Sequence, residues 1–151
     1  MEMSIREQVV PATREHVDQM KGRFRLSDER EARAIGEANA YSCAVTVFHL
    51  SSKAWTGLLY GKPIVMFGAS DPDFITGTSR PWMFGTEDMH KAGLSVLRRT
   101  KKYMKEIREG TDRLEASVHK HNIISLKWLK WIGFKPGGYT EDNPSFYNVW
   151  M

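Results

Sequence analysis

The stretch from residue 81 to residue 119 constrains the fold most, because it contains a strand, a long helix and a second strand in succession. Pro81 to Gly85 is a short apolar run typical of a buried strand. Thr86 then predicts the cap of a helix over Glu87 to Glu109, which ends at Gly110. Leu114 to His119 alternates apolar and polar residues, which predicts a strand. Strands that alternate with helices in this way indicate an α/β protein.

The flanking segments add further strands and helices. Residues 40–48 fit the helical spacing of apolar side chains, although the β-branched run Val45 to Val47 favours a strand, and we predict a helix. The remaining predicted elements are, in chain order, a strand over Ser4 to Val10, a helix capped by Thr13, a helix from a capping box at Asp28 and Glu31 to Ala38, a hairpin of Ala54 to Leu59 and Ile64 to Phe67, a loop over Ala69 to Ser79, a helix from Asn122 to Gly133, a loop over Lys135 to Pro144, and a last strand over Phe146 to Trp150. This order predicts one α/β (α+β) domain over residues 1–151, with a central mixed β-sheet and helices on both faces.

Composition excludes several classes of protein. The net charge of +4 comes from 22 basic and 18 acidic residues, which is a weak attraction for anions and argues against a dedicated nucleic-acid binder. Cys43 is the one cysteine of the chain, so no intrachain disulfide can form and a reducing compartment is favoured. No apolar run is long enough to cross a bilayer, and Met1 to Val10 has no apolar signal core, so we expect a cytoplasmic protein without a membrane partner. Histidines, acids and the thiol do not stand at metal-ligand spacing, so we predict no metal site.

Two further patterns have an ordinary structural interpretation beside a functional one. A run of six basic residues from Arg98 to Arg108 lies on the long helix, on the faces that its apolar stripe leaves to solvent. Lys127 and Lys130 alternate with Trp128 and Trp131, which is a pattern found in nucleic-acid binders. At helical spacing we interpret the tryptophans as core and the lysines as solvated, and weak nucleic-acid binding stays a third hypothesis.

The segment from Asn122 to Phe134 resembles the last helix of GNAT (N-acetyltransferase) proteins. Its Asn122, Ser125, Trp128, Gly133 and Phe134 match the pattern of that helix. Pro81 to Thr86, followed by a long helix, is similar to the central strand and cofactor-facing helix of the same fold. Together with Trp55 to Gly68, these segments look like a group of GNAT-like proteins of tailed bacteriophages, which includes an internal virion protein. The resemblance implies a location in the host cytoplasm or packaged in the virion.

The resemblance also implies acetyl-CoA as a cofactor and a set of residues that would bind it. Backbone groups of Phe84 and Gly85 would face the thioester, and Thr86 would lie where the long helix meets the diphosphate. Asn122 and Ser125 would contact coenzyme A from the last helix. The same two residues also have ordinary roles, because Asn122 fits a helix N-cap and Ser125 a small packing position.

The sequence departs from the GNAT pattern at the positions that carry its chemistry. The Gly-rich diphosphate loop is absent from Thr86 to Gly93, where Glu87 and Asp88 place negative charge. Leu129 stands where the family often has a tyrosine acid, and Pro81 to Phe84 lacks the glutamate base. His119 and Tyr139 are the substitutes that we predict as catalytic residues, because histidine titrates near neutral pH and a tyrosine hydroxyl can donate a proton.

The sequence therefore supports two functions about equally. The first is a phage-encoded GNAT-like N-acyltransferase that uses acetyl-CoA to modify an unidentified amine. The second is a catalytically inactive GNAT fold that serves as a virion or host-interaction protein, since one fold can support unrelated functions.

Overall fold

The computed structural model describes residues 6–120, 122–139 and 146–150. Within these ranges the chain forms five helices and eight strands. They are β1 (Glu7–Pro11), α1 (Arg14–Met20), α2 (Leu26–Ala34), α3 (Ala40–His49), β2 (Lys53–Leu59), β3 (Lys62–Ala69), β4 (Thr78–Ser79), β5 (Pro81–Gly85), α4 (Met89–Glu109), β6 (Arg113–His119), α5 (Ile123–Ile132), β7 (Lys135–Tyr139) and β8 (Phe146–Trp150).

The strands form two four-stranded sheets rather than one continuous central sheet. The first has the order β1-β2-β3-β5 and is antiparallel throughout. The second has the order β4-β6-β8-β7 and is mixed, because β4 runs parallel to β6. The predicted α/β (α+β) arrangement of mixed sheet and flanking helices is confirmed, with a break between β5 and β6.

Helices cover both faces of the strands, and a separate apolar core lies under each set. Val17 of α1, Ala32 of α2 and Ala44 of α3 pack on one face with Met66 and Phe84. Helices α4 and α5 cover the other face, where the core includes Met104, Ile107 and Trp128. The Trp128 Nε1 donates to Thr100 Oγ1 at 2.7 Å and so joins the two helices. The break between the sheets is therefore enclosed by helices on both sides.

The ambiguous segment at residues 40–48 is a helix, as predicted. Asn39 caps it by accepting from the N–H of Ser42 at 2.9 Å. Ala40 and Ala44 pack into the core at helical spacing, and Tyr41 Oη donates to Asp18 of α1 at 2.7 Å. Burial against α1 outweighs the strand preference of the β-branched residues, which is a weak local bias.

Two predicted helix starts are wrong. Asp28 does not cap α2, which begins at Leu26, because the Asp28 carboxylate turns inward to Arg25 and to the backbone of Gly85. Thr86 does not cap α4 either, since the helix begins at Met89 after the N-cap Asp88. The N–H of Thr86 donates to the carbonyl of Ile64 at 2.9 Å and so extends the β3–β5 ladder instead.

Two segments predicted as loops contain strands. Thr78 and Ser79 form the short strand β4 on β6, within the loop predicted over residues 69–79. Residues 135–139 form β7, which pairs with β8 across a register shift between Pro136 and Gly138. The Pro-Gly-Gly sequence that reads as a turn supplies this irregularity, because proline and glycine are tolerated in strands mainly at edges and bulges.

Candidate functional site

The break between β5 and β6 opens from a fixed point in the chain. Ser79 of β4 pairs with Leu114 at the start of β6, whereas Pro81 already pairs with Ala69 of β3. The chain therefore leaves one sheet and joins the other across Arg80. Beyond that residue β5 and β6 diverge, and among the described residues no ladder connects them. The result is a V-shaped cleft between the two strands.

The cleft has a volume of about 370 Å³ and mainly apolar walls. Strand β5 contributes Trp82 and Phe84, and β6 contributes Ala116 and Val118. Helix α5 contributes its buried face, including Ser125. Helices α2 and α3 close the opposite side with Asp28, Glu31, Ala32, Ile35, Cys43 and Val47. A cavity of this size, with few polar groups, is suited to a small organic ligand.

The edge of β5 that faces the cleft is open at Met83 and closed at Gly85. Facing pairs of an antiparallel ladder alternate between hydrogen-bonded and non-bonded. Thr86 bonds to Ile64, so Phe84 faces Met66 in a bonded pair, and Met83 and Gly85 direct their backbone groups to the cleft side. Gly85 is engaged there, since its N–H donates to Asp28 Oδ2 at 2.9 Å and its carbonyl accepts from the Arg25 N–H at 2.9 Å.

Arg25 and Asp28 form the group that closes this end, which we call the Gly85 clasp. Arg25 donates from Nε and Nη2 to the two Asp28 oxygens at 3.0 and 2.7 Å, and both side chains are buried. Burial raises the pKa of Asp28, while the guanidinium and the Gly85 N–H oppose that rise. Arg25 Nη1 is buried without a hydrogen-bond partner among the described residues. The clasp is thus a buried ion pair on the backbone of β5.

Glu31 is the second carboxylate of the cleft, one helical turn from Asp28. Its Oε1 accepts from the backbone N–H of His119 at 2.7 Å. Burial raises the pKa of Glu31, and the His119 N–H and the nearby Asn122 amide partly offset that rise. No lysine or arginine of the described residues forms an ion pair with Glu31. Glu31 is therefore a half-buried carboxylate that favours its protonated form more than an exposed glutamate does.

The residues predicted to bind the cofactor have mixed placements. Phe84 lines the cleft with its side chain, but its backbone lies within the β3–β5 ladder, and the Gly85 backbone is held by the clasp. Thr86 is buried, with its hydroxyl accepting from the Asp88 N–H at 3.3 Å. By alternation, the backbone N–H that points to the cleft is that of Met83, which sequence reasoning missed.

The residues predicted on the last helix and the neighbouring strands lie at or near the cleft. Asn122 caps α5, its Oδ1 accepting from the Ser125 N–H at 3.3 Å, and its Nδ2 has no hydrogen-bond partner in standard geometry in the part of the chain described. Ser125 lines the cleft. His119 ends β6 and touches Glu31 through its backbone. Tyr139 ends β7, and its backbone pairs with Tyr147, which pairs with Val118, so it lies two strand spacings, about 9–10 Å, from β6. The catalytic roles of His119 and Tyr139 stay predictions.

The start of α4 offers few unsatisfied backbone donors. The N–H groups of Asp88 and Met89 donate to Thr86, and that of Lys91 donates to the Asp88 carbonyl. The Asp88 carboxylate forms ion pairs with Arg23 at 3.0 Å and Lys91 at 3.2 Å, which lower its pKa. Of the two acidic residues predicted at this helix start, Asp88 is neutralised by basic side chains of the chain itself, and Glu87 accepts from the Leu26 N–H at 3.3 Å.

Glu31 and Asp28 are the functional candidates that sequence reasoning missed. The sequence contained a signal for them, because residues 28, 31, 32 and 35 follow the helical spacing that places side chains on one face. All four line the cleft. Interpreted as a capping box, the two acids predict a helix start. Interpreted as members of one helix face, they predict a site at that face. The described residues contain no group of three side chains arranged to bind a metal ion, and none of their helices is both long and apolar enough to cross a membrane.

Solved structures share the fold of this chain, although their sequences are only distantly similar to it. No protein-family model and no curated protein matches the sequence. The GNAT domain of PAT from S. lividans is 12% identical, with a TM-score of 0.66, over 96% of this chain and 89% of that one. An acetyltransferase from Thermus thermophilus is 17% identical, with a TM-score of 0.65, over 97% of both chains. RimL, a ribosomal L7/L12 α-N-protein acetyltransferase solved with coenzyme A, is 10% identical, with a TM-score of 0.66, over 99% of this chain and 96% of that one. The chain has the GNAT fold.

Proposed function

We propose that the chain is an N-acyltransferase that moves an acetyl group from acetyl-CoA to a primary amine in the cleft between β5 and β6. One observation carries the proposal: the two strands part, and a half-buried Glu31 without a lysine or arginine partner lines the gap. Solved structures of similar fold are acetyltransferases, and one of them holds coenzyme A, which supports the same chemistry here.

Glu31 is the proposed general base. A carboxyl whose pKa is raised by burial is better matched to neutral pH than an exposed one, so it can accept a proton from an ammonium. The neutral amine nitrogen then attacks the thioester carbonyl carbon. A C–N bond would form and the C–S bond would break, the thiolate leaving with the electron pair. The attacking nitrogen would lose its second proton, which replaces the proton that the thiolate takes. The His119 backbone holds the Glu31 carboxylate in place, and Tyr139 remains our candidate donor of the last proton.

The residues present fit the two ends of acetyl-CoA unequally. At the acyl end, the Met83 N–H points to the cleft and can donate to a carbonyl oxygen that gains negative charge. Ser125 lines the opposite wall, and Asn122, the cap of α5, holds its amide beside Glu31. At the diphosphate end, the first amides of α4 already have acceptors, and Arg25 Nη1 is the buried donor without one. We therefore assign no step to the diphosphate.

A second candidate function is a GNAT fold without catalysis that binds a virion or host protein. The Gly85 clasp favours it, because the protein's own Arg25 and Asp28 occupy the β5 edge along which a thioester arm would lie. The resemblance to phage proteins supports the host cytoplasm or the virion as the location, with phage or host proteins as partners.

Calorimetric titration of the purified protein with acetyl-CoA tests the first function, followed by release of free thiol in the presence of an amine mixture. We expect saturable binding and thiol release that depends on amine. Glu31→Gln should abolish release and keep acetyl-CoA binding, because the base touches the amine rather than the donor. Glu15→Gln, on the exposed surface of α1, is the matched control and should behave as the wild type.

Absence of acetyl-CoA binding at millimolar concentration would overturn the enzyme proposal and leave the second candidate. Full thiol release by Glu31→Gln would overturn the role of Glu31 while keeping acyl transfer.

A further inference from the structure

We infer that the cleft binds primary monoamines whose body is apolar or aromatic, with the ammonium at Glu31. As a choice of acceptor, this inference rests on the proposed acyl transfer. As a statement about binding, it stands on the cleft alone and can be tested without an acyl donor.

The walls of the cleft determine the body of the ligand. Most of the surface around the space is apolar, and aromatic or aliphatic side chains of α2, α3 and β5 supply much of it; the polar side chains are two carboxylates, Arg80, Cys43 and three serines. Ile35 and Leu50, which line the cleft, are 59% and 57% exposed. A ligand with an apolar body would cover them, whereas a sugar or a peptide rich in charge would leave its polar groups without partners. The apolar wall residues are Ile35, Val47, Leu50, Trp82 and Phe84.

Charge determines the head group. Of the two carboxylates in the cleft, Asp28 already accepts from the Arg25 guanidinium and the Gly85 N–H. Glu31 accepts the His119 N–H, lies beside the Asn122 amide and feels the charge of Arg25, but it forms no direct ion pair with a lysine or arginine of the described residues. An ammonium beside Glu31 would supply a direct counter-ion and a charge-assisted hydrogen bond. The cleft thus has one carboxylate available to a cation, and that supports one ammonium.

The opposite end of the cleft disfavours a second ammonium, because a cationic side chain lies there. Arg80 lines the cleft where the strands diverge, beside the pairing of Ser79 with Leu114. Glu31 bonds to His119, five residues further along β6, which is about 16 Å at the rise of a strand. A diamine or polyamine that extended from Glu31 would meet apolar walls and then the guanidinium of Arg80. A monoamine avoids both costs.

The decisive experiment compares four probes by calorimetry with the full chain and no acyl donor present. The probes are 2-phenylethylamine, its neutral analogue 2-phenylethanol, putrescine and spermidine. We expect 2-phenylethylamine to bind about 10-fold or more tightly than 2-phenylethanol, because a charge-assisted hydrogen bond contributes that much. We expect a similar preference over putrescine and spermidine, because these lack an apolar body and would place a further ammonium between apolar walls. This ranking needs no variant, so a misfolded mutant cannot obscure it.

Variants then locate the ammonium and the ring. Glu31→Gln should weaken 2-phenylethylamine about 10-fold and leave 2-phenylethanol unchanged, while Glu15→Gln changes neither. Trp82→Ala should weaken both aromatic probes alike. Tighter binding of a Phe-initiated peptide amide than of the free amine would support the same head-group chemistry and assign the amine to a polypeptide N-terminus.

Two results would overturn the inference. Putrescine or spermidine binding as tightly as 2-phenylethylamine would show that the cleft does not select a single ammonium. Unchanged 2-phenylethylamine affinity in a folded Glu31→Gln variant would place the ammonium elsewhere. The proposed function can fail separately. Binding of the monoamine without any acetyl transfer would contradict only the proposed acyltransferase activity, and acetyl transfer restricted to polyamines would contradict only the inferred preference for monoamines.

Discussion

The two ends of the β5 edge are three residues apart and have opposite characters. At Trp82 and Met83 the edge faces an apolar cleft, and the Met83 N–H points to it. At Gly85 both backbone groups are bonded to the Gly85 clasp, and a buried ion pair stands over them. One strand thus combines a site that can accept a ligand with a segment already bound by its own chain.

The contrast shows that proteins with the same strand connectivity can differ in how accessible the parted strand edge is. The parting of the two strands follows from connectivity, because the chain changes sheets at Arg80. Whether the parted edge is available depends on a few side chains, here Arg25 and Asp28. Similarity to acetyltransferases of 10–17% identity therefore predicts the cleft but does not predict its chemistry.

The largest effect should come from breaking the closed end. Asp28→Ala removes the acceptor of two Arg25 nitrogens and of the Gly85 N–H. Because a buried guanidinium is left without a counter-ion, we expect the free energy of unfolding to fall by about 3–5 kcal/mol. Urea unfolding measures it. Asp18→Ala, which breaks an exposed ion pair with Arg14 and removes the acceptor of the Tyr41 hydroxyl, is the control. It should cost far less, because water screens the pair and can replace the hydrogen bond. Equal losses in the two variants would show that the clasp does not hold this end.

The apolar character of the open end can be measured at Cys43, which lines the cleft. Burial raises the pKa of the Cys43 thiol from 9.0 to about 11. The thiolate fraction at neutral pH is then about 100-fold lower in the folded protein than in the unfolded chain. Alkylation by iodoacetamide should therefore be about 100-fold slower in the folded protein than in urea. The chain has one cysteine, so the reaction reports this site alone. Similar folded and unfolded rates would contradict an apolar wall at α3.

Crowding at Gly85 tests how tightly the closed end is packed. A Cβ there would lie 2.1 Å from Met89 Sδ and 3.1 Å from Arg25 Nε. We expect Gly85→Ala to lower the free energy of unfolding by about 1–3 kcal/mol, the usual cost of overpacking. Adding Met89→Ala should reduce the additional loss, because the two residues compete for one space. Strictly additive losses in the double variant would refute the contact.

The smallest effect concerns the pH dependence of stability at the open end. Burial raises the folded-state pKa of Glu31 above its ordinary value of 4.5, so the folded protein binds the extra proton. Its contribution to stability is therefore full below the ordinary pKa and is lost as pH rises through the folded pKa. The groups that influence Glu31 are Asp28, Arg25, His119 and the Asn122 amide.

Glu31→Gln removes this loss, so the variant should gain stability relative to the wild type as pH rises above 4.5. Thermal melts across this range, with Glu15→Gln alongside, measure the difference. A constant difference at all pH values would show that Glu31 titrates as an exposed side chain.

Much of the fold was predictable because its signals are local. The strand over residues 81–85, the hairpin of β2 and β3 and the helix ending at Gly133 each have apolar spacing and a turn residue that agree. The failures lie where a tertiary contact decides. Thr86 is a good cap by type, yet its N–H completes the β3 ladder. Pro136 and the glycines after it are turn residues by type, yet β8 provides a partner.

The site was predictable in place but only partly in chemistry. Asn122 and Ser125 follow a sequence pattern; Asn122 caps α5 and Ser125 lines the cleft, while their contact with coenzyme A stays a prediction. Glu31 could not be assigned from spacing alone, because its role depends on α2 lying over the end of β6, 88 positions away in the chain. The engagement of Gly85 by Asp28 depends on a similar long-range contact.

The two-residue strand β4 has a consequence for the kinetics of ligand exchange. The same stretch of chain pairs with β6 at Ser79 and with β3 from Pro81. The backbone around Arg80 therefore ties the two sheets together at the narrow end of the cleft. A ligand can enter at Trp82 without waiting for a domain to move, so its association rate should be set by encounter. Access to Gly85 requires the ion pair of Arg25 and Asp28 to open first, and that opening would limit the rate.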